Sequence, residues 1–333
     1  DPSSAAYGAR PLGMGGAYVG LADDSNAIFS NPAGLAQLDK WEITSMSTQI
    51  LEKVDYKLIG GAAKLGPGTL GIGYIGVSAP CGIPRTVDGT PESNSPITHD
   101  SSLITLSYGL NMSKLMESSE DMGDILIGTN IKYFAKSFNG IEDANGNGFN
   151  ADLGLLFKPY KGFYTIGASM QNILQAGSFT WANGTKENPE AKTKVGGTIK
   201  VLGKDSMYST VPSDLLLTLD TELGNMTLFH VGAEWKPINY ASVRLAIDQA
   251  QKTNTEASNN LTAGVGLSFA GFRFDYAYHA DENLETNKTH YFSISYSPQE
   301  IIPVIAKTEP KEEVKVEVQV EEEEPAEDLV IED

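Results

Sequence analysis

The chain has 333 residues, 20% of them charged, a formal net charge of -19 and a single cysteine, Cys81. That acidity excludes a nucleic-acid partner, which phosphate recognition would mark with clustered Lys and Arg. One cysteine excludes an intrachain disulfide and a thiolate metal cluster. No apolar run reaches the ~18–20 residues of a spanning helix, but a membrane barrel hides its code in alternation and keeps an ordinary mean hydropathy. The first residue is Asp rather than Met, so an export signal removed beforehand is expected.

Residues 1–40 do not alternate. Clustered Gly and small residues (Gly8-Ala9-Arg10-Pro11-Leu12-Gly13-Met14-Gly15-Gly16) and the Asn31-Pro32-Ala33-Gly34-Leu35 run predict compact turns. One or two short helices are expected around 24–29 and 32–38. The segment is too small for a core of its own, so Tyr18, Ile28, Phe29 and Leu35 need walls to bury them. A linker to another domain is the alternative reading.

Candidate strands then follow at 41–50, 55–65, 68–79, 101–111, 124–136, 148–158, 162–174, 191–202 and 212–223, and five more at the end of the body. The first of those five puts Phe229, Val231, Ala233 and Trp235 on one face and His230, Gly232, Glu234 and Lys236 on the other. Val243, Leu245 and Ile247 alternate with Arg244, Ala246 and Asp248. Leu261 to Phe269 alternates with Thr262, Gly264, Gly266 and Ser268. After Ala270-Gly271, Phe272, Phe274, Tyr276 and Tyr278 alternate with Arg273, Asp275, Ala277 and His279. Phe292, Ile294 and Tyr296 close the series.

Period two marks strands with one apolar face. In a soluble sandwich the other face would meet bulk water and favour Lys, Glu and Thr. Here it carries Gly, Ser, Ala, Thr and charges of both signs, as the crowded lumen of a closed barrel requires. Fourteen strands is an even count, as single-chain bacterial barrels use. Long or polar links (80–100, 138–147, 175–190) alternate with short ones such as 66–68, 158–161, 236–239 and 270–271. That asymmetry predicts short periplasmic turns, longer outer loops and periplasmic termini; links 112–123 and 203–211 are longer than the rule. Trp41, Phe157, Tyr164, Trp235, Tyr240, Phe269, Phe272 and Tyr296 fall at one end of their strands, as an interfacial girdle would. Hydrocarbon satisfies no backbone N–H or C=O, so a spanning sheet must close.

The run GARPLGMGGAYVGLADDSNAIFSNPAGLA resembles the N-terminal plug of the FadL-type outer-membrane channel superfamily, and in wording the PorV/PorQ branch of it. The resemblance covers roughly 8–40 by motif and 41–298 by architecture only. It implies a 14-stranded antiparallel transmembrane β-barrel with a plug inside the lumen, and it maps the family's plug element onto Asn31, Pro32, Ala33, Gly34 and Leu35. The acidic tail is not part of the family's common pattern.

In the third candidate strand Leu70, Ile72 and Tyr74 share a face, after which Ile75 and Val77 take over the apolar role. With Gly71, Gly73 and Gly76 nearby, this reads as a phase slip at a bulge. The resemblance implies that a kink here (Gly71, Gly73, Tyr74, Gly76) opens the wall sideways and releases hydrophobic substrate into the membrane; an ordinary curvature-relieving bulge is the alternative. Leu103, Leu126, Leu156 and Leu216 are candidate lumen positions for a greasy ligand, or packing against the plug. Inward Arg244 and Arg273 pair with Glu234, Asp248 and Asp275, anchor the plug, or meet a substrate carboxylate.

The stretch 142–152 resembles the start of a calcium loop through Asp143, Asn145, Asn147 and Gly148. Gly154 stands where the bidentate Glu belongs, so a polar turn is the preferred reading and no metal site is expected. The four histidines and the absence of nucleophile-elbow, zincin, Walker and dinucleotide motifs predict a non-enzyme without cofactors. Residues 299–333 hold 13 acidic and 3 basic residues, about half the excess charge, and read as a disordered periplasmic tail. Alternating Val314 to Val320 could add to a partner's sheet edge.

Three parts are therefore expected: a plug (1–40), a barrel (41–298) and a tail (299–333). The expected function is uptake of fatty-acid-like hydrophobic small molecules across a bacterial outer membrane, by lumen binding and lateral release into outer-membrane lipid. Detergent would occupy the same lumen. The alternative is a PorV-like adaptor that binds secreted cargo or a secretion machine through its outer loops or its tail.

Overall fold

The computed structural model describes residues 7–50, 53–83, 97–116, 122–175, 178–224, 226–253, 256–281 and 288–298. The tail, including Val314 to Val320, lies outside the described residues. Along the chain run β1 (Glu42–Ile50), β2 (Val54–Leu65), β3 (Gly68–Gly82), β4 (Ile97–Asn111), β5 (Asp124–Asn139), β6 (Asn145–Lys158) and β7 (Tyr164–Gln171). Next come two short strands, β8 (Phe179–Trp181) and β9 (Lys186–Glu187), then β10 (Lys192–Leu202), β11 (Asp214–Leu223), β12 (Leu228–Ile238) and β13 (Ala241–Gln251). The last are β14 (Ala257–Phe269), β15 (Phe272–Ala280) and β16 (Lys288–Tyr296).

Apart from the short β8 and β9, which pair with each other and through β8 with β6, the strands form one antiparallel ring in which β7 joins β10 and β1 joins β16 through Ile43↔Tyr296 to Ser47↔Phe292. The result is the expected closed 14-stranded antiparallel barrel with no free wall edge. Two-residue alternation sets which side each residue takes. In β1 the burial pattern alternates without a break over eight residues, with Ile43 half exposed and Thr44 buried. The exposed large residues (Ile59, Ile72, Phe229, Leu245, Leu261, Phe292) all sit in the outward phase. A soluble protein does not leave such a band in water; hydrocarbon is its solvent, and the barrel is transmembrane.

The predicted aromatic girdle is present at the end where the chain enters and leaves the wall: Trp41 and Tyr296 lie 5.4 Å apart, and Phe272 and Tyr296 4.6 Å. Two boundaries need correction. The stretch 138–147 is not a long loop, because β5 reaches Asn139 and β6 starts at Asn145. Asn145 and Asn147 therefore belong to a strand, where they take the same face. Strand β7 ends at Gln171 rather than 174. The following chain swings across to β6, where Phe179 pairs with Gly148, because Asn150 takes Leu174 N–H and returns its Nδ2 to the Leu174 carbonyl.

The phase slip expected in the third strand is also corrected. The β2–β3 ladder runs unbroken from Leu65↔Gly68 to Asp55↔Ser78, and β3–β4 shifts register only between Pro80 and Gly82. Ile75 stays inward and fully buried, with Val77 packed on the same core. The apolar residues change face because the interior at that level is apolar, filled by Ile28 and Phe29.

Candidate functional site

Residues 7–40 lie within the wall. A short helix α1 (Ala9–Gly13) and two 3-10 turns (Ser25–Ile28 and Pro32–Gln37) carry nearly every side chain into burial. Each turn begins with a capping side chain: Asp24 accepts from Asn26 N–H at 2.9 Å, and Asn31 from Ala33 N–H at 3.2 Å. Pro32 occupies the first position of its turn, where its missing N–H costs nothing.

The wall is shaped to receive this backbone. Gly109, Gly128 and Gly154 stand side by side on β4, β5 and β6, in register. A Cβ on Gly128 would lie 2.2 Å from the Pro32 carbonyl carbon, and one on Gly154 2.2 Å from Asn31 Oδ1. Only glycine admits so close an approach. Asn31, fully buried, then donates from Nδ2 to the Val19 carbonyl (2.9 Å) and across to the Leu155 carbonyl of β6 (3.1 Å). Asp220 of β11 accepts from the backbone N–H groups of both Tyr18 and Val19 at 2.7 Å.

A second anchor is ionic. Arg10 reaches Glu234 with two nitrogens (3.0 and 3.1 Å) and gives its third to Asp23, Asp24 and the Tyr18 hydroxyl. Arg244 links Glu234 (2.6 Å) to Asp275 (2.8 Å); Arg273 links Asp275 (2.9 Å) to Asp24 (2.8 Å) and Glu42 (3.4 Å). A bidentate arginine-carboxylate contact is strong and directional; the buried members Arg10, Asp24, Glu234 and Arg244 depend on their partners, while Asp23 and Arg273 border a cavity of about 200 Å³. Burial works against the Arg10 charge, but Asp23 and Glu234 outweigh it and push the guanidinium pKa up. Burial likewise pushes the Asp24 carboxyl up, yet Arg273 and Arg10 reverse this and hold it well below the usual carboxylate range.

Arg244 and Arg273, candidates for a substrate carboxylate, are thus committed to protein carboxylates. Leu103, Leu126, Leu156 and Leu216 all join the core cluster with residues such as Ile28 and Leu35. Above Phe29, the cavity bounded by Tyr7, Ile75, Leu103, Lys132, Asp152 and Gln171 holds only about 10 Å³, room for one water at most. Lys132, Asp152 and Asp220 were not singled out in the sequence. Their signal was there: each is an ionisable residue at an inward phase of its strand. Lys132 pairs with Asp152 at 2.6 Å, and Asp248 joins His230 (2.7 Å) to His279 (3.2 Å) in the same interior. Among the described residues no cluster of His, Cys, Asp or Glu is placed to hold a metal ion.

One stretch of wall differs from the rest. Gly60 and Gly73 pair on β2 and β3, and the Phe29 ring lies against both: Cβ atoms there would come within 3.2 and 2.6 Å of it. On the lipid side of the same strands the small residues Ser45 and Gly61 floor a groove of about 580 Å³, edged by Ile43, Ile59, Ile72, Phe272, Ile294 and Tyr296. Gly73 and Tyr74, expected near a sideways opening, both line it. A single backbone layer separates Phe29 from the hydrocarbon.

Solved structures that share this fold include two toluene transporters and a monoaromatic hydrocarbon channel. The chain superposes on the toluene transporter TbuX of Ralstonia pickettii with a TM-score of 0.55 at 13% identity, covering 88% of this chain and 98% of that one. The toluene transporter TodX of P. putida matches at a TM-score of 0.57 and 12% identity, with coverages of 88% and 98%. The monoaromatic hydrocarbon channel CymD matches at 0.57 and 12%, with 88% and 97%. The chain shares the barrel fold of these proteins. No family model matches the sequence, and no curated protein does. At such identities the likeness establishes the fold and leaves the chemistry to the site itself.

Proposed function

We propose that this chain is a bacterial outer-membrane channel for hydrophobic small molecules, with residues 7–40 acting as its plug and both termini in the periplasm. The observation that carries the reading is the thinned wall, with Phe29 and Ile28 on one side of the Gly60-Gly73 pair and an apolar groove on the other. A hydrophobic solute entering from outside would displace the Phe29 ring, occupy the space it vacates beside Ile75 and Leu103, and leave sideways along the groove into lipid. Lateral release conserves the hydrophobic driving force, because the solute never crosses the aqueous periplasmic mouth. That proteins of the same fold are a toluene transporter and a monoaromatic hydrocarbon channel supports this class of solute. The tight seat of the plug makes its partial movement, rather than its removal, the opening step.

The test is uptake of labelled long-chain fatty acid and of toluene by a Gram-negative host lacking its own hydrophobic-solute channels. Cells making the folded barrel should exceed empty-vector cells several-fold. Equal uptake, with the barrel present in the outer membrane, would overturn the proposal.

A second reading, a PorV-like adaptor for secreted cargo or a secretion machine, is favoured by one observation: the interior cavity beside Phe29 is almost filled. A barrel that transports nothing needs no room. The outer loops or the tail 299–333 would then meet the partner, which would co-purify in fixed stoichiometry from the native membrane.

A further inference from the structure

Strands β3, β4, β5 and β6 run 15, 15, 16 and 14 residues, beyond the ~9–11 that a tilted membrane strand needs. Their excess lies at the end opposite the aromatic girdle. Pairing register sorts the outward residues there into rows. Ile59, Tyr74, Ile104, Tyr133 and Phe149 form the last apolar row. The next is Lys57, Gly76, Ser102, Ala135, Asn147 and Thr180, and above it stand Asp55, Ser78, Asp100, Ser137 and Asn145. The two upper rows border a groove of about 940 Å³ on the outer side of the wall.

The chemistry of that groove narrows its occupant. Ser78 and Asn139 hydrogen-bond Asp100, but the side chains of Ser102, Ser137, Asn145, Asn147 and Thr180 make no hydrogen bond to protein among the described residues. Their hydroxyls and amides are therefore available as donors and acceptors together. An anionic headgroup is disfavoured, because of the two lysines lining the groove Lys136 is paired with Glu187 and Lys57 stands beside Asp55 and Asp100, with no arginine. A protein partner needs a buried apolar or aromatic anchor site; Tyr74 and Tyr133 border this groove only from the lipid-facing row, Trp181 is engaged by Phe138 and Phe179, and the floor is Gly76, Ala135 and serines. An uncharged sugar, all hydroxyls, matches the neutral polar array. The groove also begins directly above the lipid-facing row, so one molecule can lay acyl chains along Ile59 and Ile104 while its head enters the groove.

We propose that this face binds the uncharged sugar headgroup of a glycolipid in the adjoining leaflet. The full chain would be placed in phosphatidylcholine nanodiscs carrying a minor fraction of digalactosyldiacylglycerol or of phosphatidylglycerol, and the retained lipid read by native mass spectrometry. The galactolipid should be retained several-fold over phosphatidylglycerol, and Ser102→Trp with Asn147→Trp should abolish the difference. Both positions face outward, and heat-modifiable migration verifies that the barrel still closes. Equal retention of the two lipids, or a preference untouched by the double substitution, would overturn the proposal. Free digalactose retained by the barrel as strongly as the galactolipid would overturn the lipid-linked source.

Discussion

Replacing Gly128 by alanine tests the seating of residues 7–40, the proposed plug, most directly. The added Cβ would stand 2.2 Å from the Pro32 carbonyl carbon and 2.3 Å from Ala33 N, where carbon contacts settle near ~3.5–4.0 Å. Both obstructing atoms are backbone, so no rotamer relieves the clash, and the Asn31–Gln37 turn must retreat by about 1 Å. Overpacking of this kind costs about 1–3 kcal/mol. The retreat also stretches the Asn31 bonds to Val19 and Leu155, worth about 1 kcal/mol each, so the expected loss is about 2–4 kcal/mol. Gly61→Ala is the control: its Cβ would face lipid, with Ile43 Cγ2 nearest at 3.3 Å, and should cost under about 1 kcal/mol. Urea unfolding in lipid vesicles measures both, and hydrogen exchange over residues 25–38 shows whether the turn has loosened. If Gly128→Ala matches Gly61→Ala in stability and leaves that exchange unchanged, the close seat described here does not hold the plug.

Other expectations follow from the same contacts. Arg10→Met leaves Glu234 and Asp24 buried with one partner fewer, and should destabilise toward the lower end of about 3–5 kcal/mol. In a double-mutant cycle adding Glu234→Gln, the losses should sum to less than the two single effects. The depressed Asp24 pKa stabilises the folded chain fully above the ordinary carboxylate pKa, and that contribution is lost only as pH falls toward the folded value. The Asp24 contribution, read as the difference between the parent and Asp24→Asn, should therefore stay level from about pH 8 to 5 and decline only below about pH 4, as exchange at stepped pH would reveal. Phe29→Ala should open a cavity beside Gly60 and Gly73 that takes up a benzene-sized solute, as dry apolar cavities do, and should raise uptake several-fold; unchanged uptake in a folded variant would remove Phe29 from the path.

Much of the fold could be read from the chain before any coordinates. Alternation such as Phe229-Val231-Ala233-Trp235 against His230-Gly232-Glu234-Lys236 dictates a strand with an oily face, and fourteen such strands with aromatics gathered at one end dictate closure in lipid. These are local properties: period two is written residue by residue, and the solvent fixes which face it turns outward. The burial of Tyr18, Ile28, Phe29 and Leu35 was legible for the same reason, since a segment without a core must borrow one.

What the interior does with those residues was decided only in three dimensions. Ile75 and Val77 looked like a phase slip because sequence shows polarity and not what lies opposite; Ile28 and Phe29 make the inward side apolar there. Arg244 and Arg273 could have met a substrate carboxylate or a protein one. The choice depended on Asp24, some 220 residues away in the chain from Arg244, arriving within reach of the same cluster. Likewise the glycines of β4, β5 and β6 acquire their purpose only when register sets them side by side under Asn31-Pro32-Ala33. Register and chain-distant contact are properties of the closed barrel, and no window of sequence contains them.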